Sequence, residues 1–465
     1  MSSRRHFLKV SALAGALFGS RHAMPDAQGS PARTASENSA RRRAKSVIFM
    51  VADGMNAAVL PATRHYQKHI LGTESAWLSL YNDRPAVRCA METCSASSIV
   101  TDSSASSSCW GCGHRINNTT VNIAPDDGRP LETLLVKARK AGLATGLVTT
   151  ATATHATPAG FVANLRNRDD EASIAAQYLE RRVDVVLGGG QKFFDQNLRA
   201  GFKSAGYTQI STRDELLALD GSFTPTLGLF ANSHIPYSID RDNDPALRAA
   251  TPTLAEMSAL ALRRLGAASN GFVLQIEAAR VDHAAHANDP ASLVRELLAF
   301  DEALRVVLDH VDRNPGTLLI VTTDHGTGGF NINGIGADYG GSSRALLALA
   351  GFRKSLARLR DEAQRIGSAD FSGYFEEASG LRLPATALRN IGETLGIGGK
   401  KARGGGQTYG QLLAPFTSIG WTTGNHTGDL VEFAALGPGS ERFAPFLRND
   451  AVHWHILDAL GLPKA

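Results

Sequence analysis

Six apolar runs, each only five to seven residues long, set the strongest limit on how this chain folds. They lie at 46–52, 145–149, 183–187, 271–276, 317–322 and 431–436 and are rich in Val, Ile, Leu and Phe. Near-continuous apolarity over so short a length is the mark of a strand covered on both sheet faces. Between them lie helical patterns at 131–141, 172–181, 253–265, 292–311 and 450–460. The alternation predicts an α/β fold with a mostly parallel central β-sheet sandwiched between helices. The rhythm breaks at about 338–416. There two arginine-rich helical stretches (342–366 and 385–395) and a Gly/Lys tract (396–406) read as a largely helical insertion, either a plain surface elaboration or one that shapes pocket access or an oligomer surface.

In open α/β sheets chemistry gathers beyond the carboxyl ends of the strands, and several of these runs end in polar cassettes. Val-Ala-Asp53-Gly-Met closes the first, and Glu277-Ala-Ala-Arg-Val-Asp282-His283-Ala-Ala-His286 closes the fourth. Thr-Asp324-His325-Gly closes the fifth, and Thr-Asp102-Ser103, His155-Ala-Thr157-Pro and Gly-Asn-His426-Thr-Gly stand elsewhere. Asp282 and His286, four residues apart, share one helical face. Carboxylates and imidazoles brought to one sheet edge repel and desolvate one another unless cations sit among them. An oxygen- and imidazole-rich pocket suits hard and borderline divalent metals, which activate a neighbouring hydroxyl. The pattern therefore predicts a metal-dependent hydrolase with Ser103 as nucleophile. The glycines 188–190 read as a tight turn in preference to a phosphate cradle. His65, His69, His114, His234, His310, His453 and His455 read as surface or packing residues.

The basic charge balance belongs to the N-terminus. Residues 1–45 hold nine Lys/Arg against Asp26 and Glu37, which leaves 39 basic and 42 acidic residues in the rest of the chain. Nucleic-acid binding by the folded part gains no support. Ser3-Arg4-Arg5-His6-Phe7-Leu8-Lys9, followed by small apolar residues at 10–19, resembles a twin-arginine export signal. The apolar run is far short of the ~20 residues a spanning helix needs. Residues 1–27 are thus expected to be a signal peptide read by the twin-arginine machinery, with cleavage after Ala23 or Ala27. Residues 28–45 are expected to be a flexible linker, and 46–465 a catalytic domain that works in the periplasm or is secreted. In an oxidising compartment, Cys89, Cys94, Cys109 and Cys112 are expected to form one or two disulfides; Cys109-Trp-Gly-Cys112 also has zinc-ligand spacing.

Taken in order and spacing, the cassettes resemble the alkaline phosphatase family over about 46–337 and 417–460. The resemblance implies one zinc held by Asp282, His286 and His426, and a second held by Asp53, Asp324 and His325. It implies a third ion, normally magnesium, held by Asp53, Thr157 and Glu277. Arg168, eleven residues after Thr157, matches the position that forks onto the phosphoryl oxygens, with Arg166 as a competitor, and Asp102 would hold the arginine. His155 and His283 match the subset of the family with two histidines there, flanking the third ion and the phosphate. The implied reaction is hydrolysis of many phosphate monoesters through a phosphoserine at Ser103, by an enzyme that is often a homodimer. Alternatives on the same scaffold are a phosphodiesterase, a sulfatase, or a non-catalytic metal- and phosphate-binding relative. Ser-Ala-Ser-Ser after Ser103 lacks the proline and arginine a sulfatase carries.

Overall fold

The protein is described here by a computed structural model, which covers residues 43–366, 370–397 and 407–464. The expected signal peptide, most of the linker and most of the Gly/Lys tract lie outside these residues. Among the described residues the centre is a ten-stranded sheet in the order β14-β2-β13-β8-β1-β7-β3-β4-β6-β5. Its strands are β1 (Ser46–Val51), β2 (Val87–Glu92), β3 (Ala144–Thr152), β4 (Val185–Gly189), β5 (Thr208–Ile210), β6 (Thr226–Leu229), β7 (Phe272–Glu277), β8 (Thr317–Thr322), β13 (Val431–Leu436) and β14 (Phe446–Arg448). Two short antiparallel pairs stand apart from it: β9 (Gly326–Thr327) with β12 (His426–Thr427), and β10 (Asn331–Ile332) with β11 (Ile419–Gly420). Within the sheet only β13 runs against its neighbours.

Strand β1 shows why the sheet forms. Every one of its side chains is buried. Ile48 and Met50 enter the core on one face, while Val47, Phe49 and Val51 enter the core on the other. Each large apolar side chain buried this way contributes about 1.5–3 kcal/mol. The same period of two forbids a slip, since moving the register by one residue would exchange the two faces. The register in turn levels the strand ends. Val51 pairs with Glu277 of β7 on one side and Thr322 of β8 on the other, and Thr149 of β3 also pairs with Glu277.

The six expected strands and the five expected helices all form, β8 and β13 with the expected ends and the others with shifted ones. Strands β2, β5, β6 and β14 were not anticipated. Three are only three or four residues long, and β2 exposes part of its length. The described residues of 338–416 are largely helical as expected, but the first long stretch is two helices, Tyr339–Leu347 and Leu356–Ile366. The break falls where Ser355 begins the second helix by accepting from the Arg358 amide. Apolar faces of this region (Leu346, Phe352, Leu359, Phe375) join the core cluster that contains Ile48 and Met50 of β1.

The expected disulfides are absent: Cys89, Cys94, Cys109 and Cys112 are all free thiols. Cys109 and Cys112 lie three apart on the single helix Ser103–Cys112 and are not bonded to each other. Cys89 and Cys112 belong to different apolar clusters. No helix among the described residues is long and apolar enough to cross a membrane.

Candidate active site

Asp53, Glu277 and Asp324 end β1, β7 and β8 or follow them by two residues, so the shared register brings three buried carboxylates to one edge. Gly54 takes a positive φ of 70° there, and a Cβ on it would lie 2.5 Å from Asp282 Oδ1. Only glycine lets β1 turn away this close to the next carboxylate. Its amide donates to Asp324 Oδ1 at 2.9 Å.

Three groups of converging atoms result. In the first, Asp282 Oδ2 lies 3.3 Å from His286 Nε2, which lies 3.0 Å from His426 Nε2. His286 Nδ1 faces the Gly424 carbonyl at 2.7 Å, and His426 Nδ1 faces that of Thr101 at 2.9 Å. A carbonyl only accepts, so both Nδ1 atoms carry a hydrogen, and in the neutral rings both Nε2 atoms present lone pairs. Two lone pairs and a carboxylate this close could hold a cation, with carbonyls orienting the rings. The ladder β9–β12 delivers His426 to this point.

In the second group, Thr327 Oγ1 donates to Asp282 Oδ1 at 2.6 Å and lies 3.2 Å from His325 Nδ1. With its hydrogen given to Asp282, that hydroxyl accepts from His325 Nδ1, so His325 Nε2 is a lone pair. It points at Asp324 Oδ2 (3.1 Å), Asp53 Oδ1 (3.7 Å) and Ser103 Oγ (3.1 Å). In the third group, Asp53 and Glu277 meet Thr157, whose Oγ1 is 3.4 Å from Asp53 Oδ2, and His155, whose Nδ1 is 3.9 Å from Glu277 Oε1. His155 thus stands within ligand reach of Asp53 and Glu277 as well as beside them. Thr149 Oγ1 takes the other Glu277 oxygen at 2.5 Å.

Asp53 Oδ1, Asp324 Oδ2, Glu277 Oε1 and His155 Nδ1 are buried and have no hydrogen-bond partner. A buried carboxylate oxygen left bare costs several kcal/mol, and these four line the second and third groups, which Asp53 joins. Burial and the charges of Asp324, Asp282 and Glu277 push the Asp53 carboxyl well above its usual range. Asp282 is held well below that range, because bonding to His286 and the nearby imidazoles outweigh its burial. Burial disfavours a charged His286, yet its bond to Asp282 raises it to about 9, so proton and cation compete for the same atoms. The donor set fits divalent cations: nitrogen and oxygen in the first two groups, mainly oxygen in the third.

Ser103 opens the ten-residue helix Ser103–Cys112, which Asp102 caps by accepting from the Ala105 amide at 2.9 Å. The helix N-terminus adds favourable partial charge for an anion there. Asp102 also accepts from the Thr119 amide (2.9 Å) and from Arg168 Nη1 (3.2 Å). Arg168 and these bonds hold its carboxyl below the usual range against its burial. Arg168 Nη2 reaches to 3.5 Å from His155 Nε2, so the guanidinium is set beside the third group. Arg166 instead donates to the Gly128 carbonyl, so Arg168 is the arginine set beside His155.

Every residue singled out in the sequence falls in this one region, including His283, whose ring is 5.5 Å from that of His155. His234, read as a bystander, is an addition: its ring lies 4.5 Å from His283 and 6.0 Å from His155. The glycines at 188–190 make room for its loop, since a Cβ on Gly189 would lie 2.0 Å from the Ser233 carbonyl. The expected tight turn is not what forms: Gly188 and Gly189 end β4, paired with Leu229 and Thr152, and only Gly190 lies beyond the strand, with a positive φ of 91°. Burial and His155 push His234 down to about 3, so it is neutral. Its signal was present, because His234 follows the apolar run of β6 by a few residues, as the other cassettes follow theirs.

A parallel sheet that collects three such groups around one serine and one clamped arginine defines a metal-dependent hydrolase of phosphate esters. Comparison with known proteins gives the family. The alkaline phosphatase family model matches residues 44–462. The solved structure of Thermus thermophilus alkaline phosphatase is similar at a TM-score of 0.83 and 33% identity, over 94% of this chain and 96% of that one. A cold-active alkaline phosphatase from a psychrophilic Shewanella sp. follows at 0.77 and 30%, over 89% and 99%. Alkaline phosphatase 3 of Bacillus subtilis is 29% identical over 90% of this chain and 89% of its own length. The chain belongs to the alkaline phosphatase family, whose members are metal-dependent phosphate monoester hydrolases.

Proposed function

We propose that this chain hydrolyses a broad range of phosphate monoesters to an alcohol and inorganic phosphate through a covalent phosphoserine at Ser103. The observation that carries this reading is the position of Ser103 Oγ, at a helix N-terminus and 3.1 Å from His325 Nε2, within a site whose Arg168 is held by Asp102. Asp282, His286 and His426 would hold one zinc, Asp53, Asp324 and His325 a second, and Asp53, Thr157 and Glu277 a magnesium, with His155 beside them. Bound there, the cations would supply Lewis acidity at the attacking and leaving oxygens and neutralise the phosphoryl charge. Arg168 forks onto two nonbridging oxygens, a geometry its planar guanidinium matches. Asp102 keeps that fork aimed. The Ser103 oxygen attacks in line, the ester oxygen leaves, and water then cleaves the phosphoserine, restoring the hydroxyl and releasing phosphate.

Ser103→Ala is expected to keep its metal content and lose steady-state turnover by orders of magnitude, and acid quenching of the parent enzyme should trap phosphate on Ser103. Phosphate trapped on another residue would sink the assignment. The sequence of residues 1–27 supports export through the twin-arginine machinery to the periplasm or beyond. Arg4→Lys with Arg5→Lys should then hold the protein in the cytoplasm. Family resemblance supports a homodimer, which light scattering of the purified protein would test.

A further inference from the structure

A cleft of about 390 Å³ opens beside the site, with Tyr237, Asp240 and Arg280 on one wall and Ala357, Arg358 and Arg365 on the other. The second wall belongs to the helix Leu356–Ile366, in the region read as an insertion. That wall is tied down firmly: the Ser355 amide and hydroxyl both donate to Asp240, the Leu356 amide donates to Asp289, and Arg358 pairs with Asp244. The cleft is therefore a built feature of the fold.

Arg280 connects it to the chemistry. This residue begins the helix Arg280–His286 that also carries Asp282, His283 and His286. Its guanidinium lies over the Tyr237 ring, 3.6 Å from the centroid. Its Nη1 is 2.9 Å from His283 Nδ1. Nε is buried without a partner, and among the described residues no carboxylate lies within ion-pair distance of Arg280. A guanidinium offers five N–H donors, and here one has a side-chain acceptor. The acids of the cleft are already engaged: Asp240 by Ser355, and Glu362 by Lys354, Arg358 and Tyr374. Asp361 lies 3.9 Å from Arg360. Arg365, on the far wall, is exposed and also lacks an ion pair among the described residues. Arg168 and Arg280 are separated by the rings of His155 and His283, so two cationic forks stand two imidazoles apart along one surface.

We infer that this cleft is a second anion subsite, in which Arg280 takes a carboxylate or phosphate carried on the alcohol portion of the substrate. It rests on the phosphomonoesterase reading and narrows it: the favoured substrates are monoesters that bear a second negative group at a fixed reach from the ester. The helix Leu356–Ile366 then serves as the outer wall of a specificity pocket.

The test uses phosphooxyalkanoates of increasing chain length, each paired with its neutral primary amide, and compares kcat/KM in the metal-loaded enzyme. At one chain length the carboxylate should exceed the amide by about tenfold or more, the range for a hydrogen bond to a charged group. Arg280→Gln should bring that ratio close to one while the amide is still turned over, and Arg280→Lys should restore part of it. Ala357→Trp, on the exposed face of the far wall, should lower kcat/KM for the long esters and spare 2-hydroxyethyl phosphate. A ratio near one at every length overturns the inference. Equal losses for acid and amide in Arg280→Gln also overturn it, because Arg280 then serves only to orient His283. Failure of all monoesters, amides included, would instead refute the hydrolase reading beneath it.

Discussion

Thr327→Val tests the most economical feature of the site, a single hydroxyl that sets the state of two ligands. Thr327 Oγ1 gives its hydrogen to Asp282 Oδ1 at 2.6 Å and faces His325 Nδ1 at 3.2 Å. Valine keeps the shape and the β-branching that suit β9, and the backbone pairing of Thr327 with His426 is untouched. The substitution removes a hydrogen bond to a buried carboxylate, worth about 1.5–3 kcal/mol. It also frees His325 to adopt the tautomer with a hydrogen on Nε2, which cannot bind a cation. Loss of such orienting partners lowers metal affinity or activity by roughly 10–100-fold. The assay is competition with a chromophoric zinc chelator, run beside monoester turnover at saturating zinc. Weakened binding with the activity largely recovered at high zinc is the expected result. Unchanged affinity would refute the tautomer assignment, and with it the argument that His325 Nε2 is a ligand atom.

Two further substitutions separate neighbouring explanations. Arg168→Ala should raise KM and lower kcat for monoesters by orders of magnitude and weaken inhibition by phosphate, whereas Arg166→Ala should change either constant by less than about tenfold. Equal losses would contradict the observed orientation of the two side chains. Glu296, fully buried on the helix Pro290–Arg313, is pushed by burial from 4.5 to about 7, against the opposing bond from the Ser238 amide. A raised carboxyl stabilises the fold below the unfolded value and loses that contribution as pH rises through the folded one. The difference is on the order of 3 kcal/mol at high pH. Glu296→Gln should therefore flatten the decline in stability between pH ~4.5 and ~7, measured by urea unfolding of the metal-loaded protein; an unchanged slope would contradict it.

The sequence disclosed the site more completely than it disclosed the sheet, and there is a physical reason. Asp53, Glu277 and Asp324 follow strands buried on both faces, whose unbroken apolarity is the clearest local signal a chain offers. Strands β5, β6 and β14 are set by their neighbours and are too short to carry a pattern. Arg168 was distinguished from Arg166 by spacing alone, whereas the structure distinguishes them by the Gly128 carbonyl, a contact no local pattern encodes. His234 was passed over because its strand went unrecognised, so its place just beyond a strand end went unseen. Cysteine count suggested disulfides, but whether two thiols can meet depends on helix geometry and core layering. The hydrogen bonds that fix the imidazoles, from Thr101, Gly424 and Thr327, are made largely by backbone or by hydroxyls that look ordinary in sequence.

The three ligand groups are not equally well supported, which fixes an order for metal loss. Asp53, Asp324 and His325 follow directly on the central strands, and their side chains are 0% exposed. Glu277, which ends β7, is also 0% exposed. The first group is looser: His286 is 37% exposed and His426 17%, and His426 sits on a two-residue ladder outside the main sheet. Short ladders with few buried contacts open at lower free energy than a sheet core. Under excess chelator, zinc should therefore leave in two phases, with the first group emptying first and activity falling with it. His286→Ala should remove the fast phase and leave the slow one in place. Loss of all ions in one phase, or a slow phase that changes with His286, would show that the site opens as a single unit.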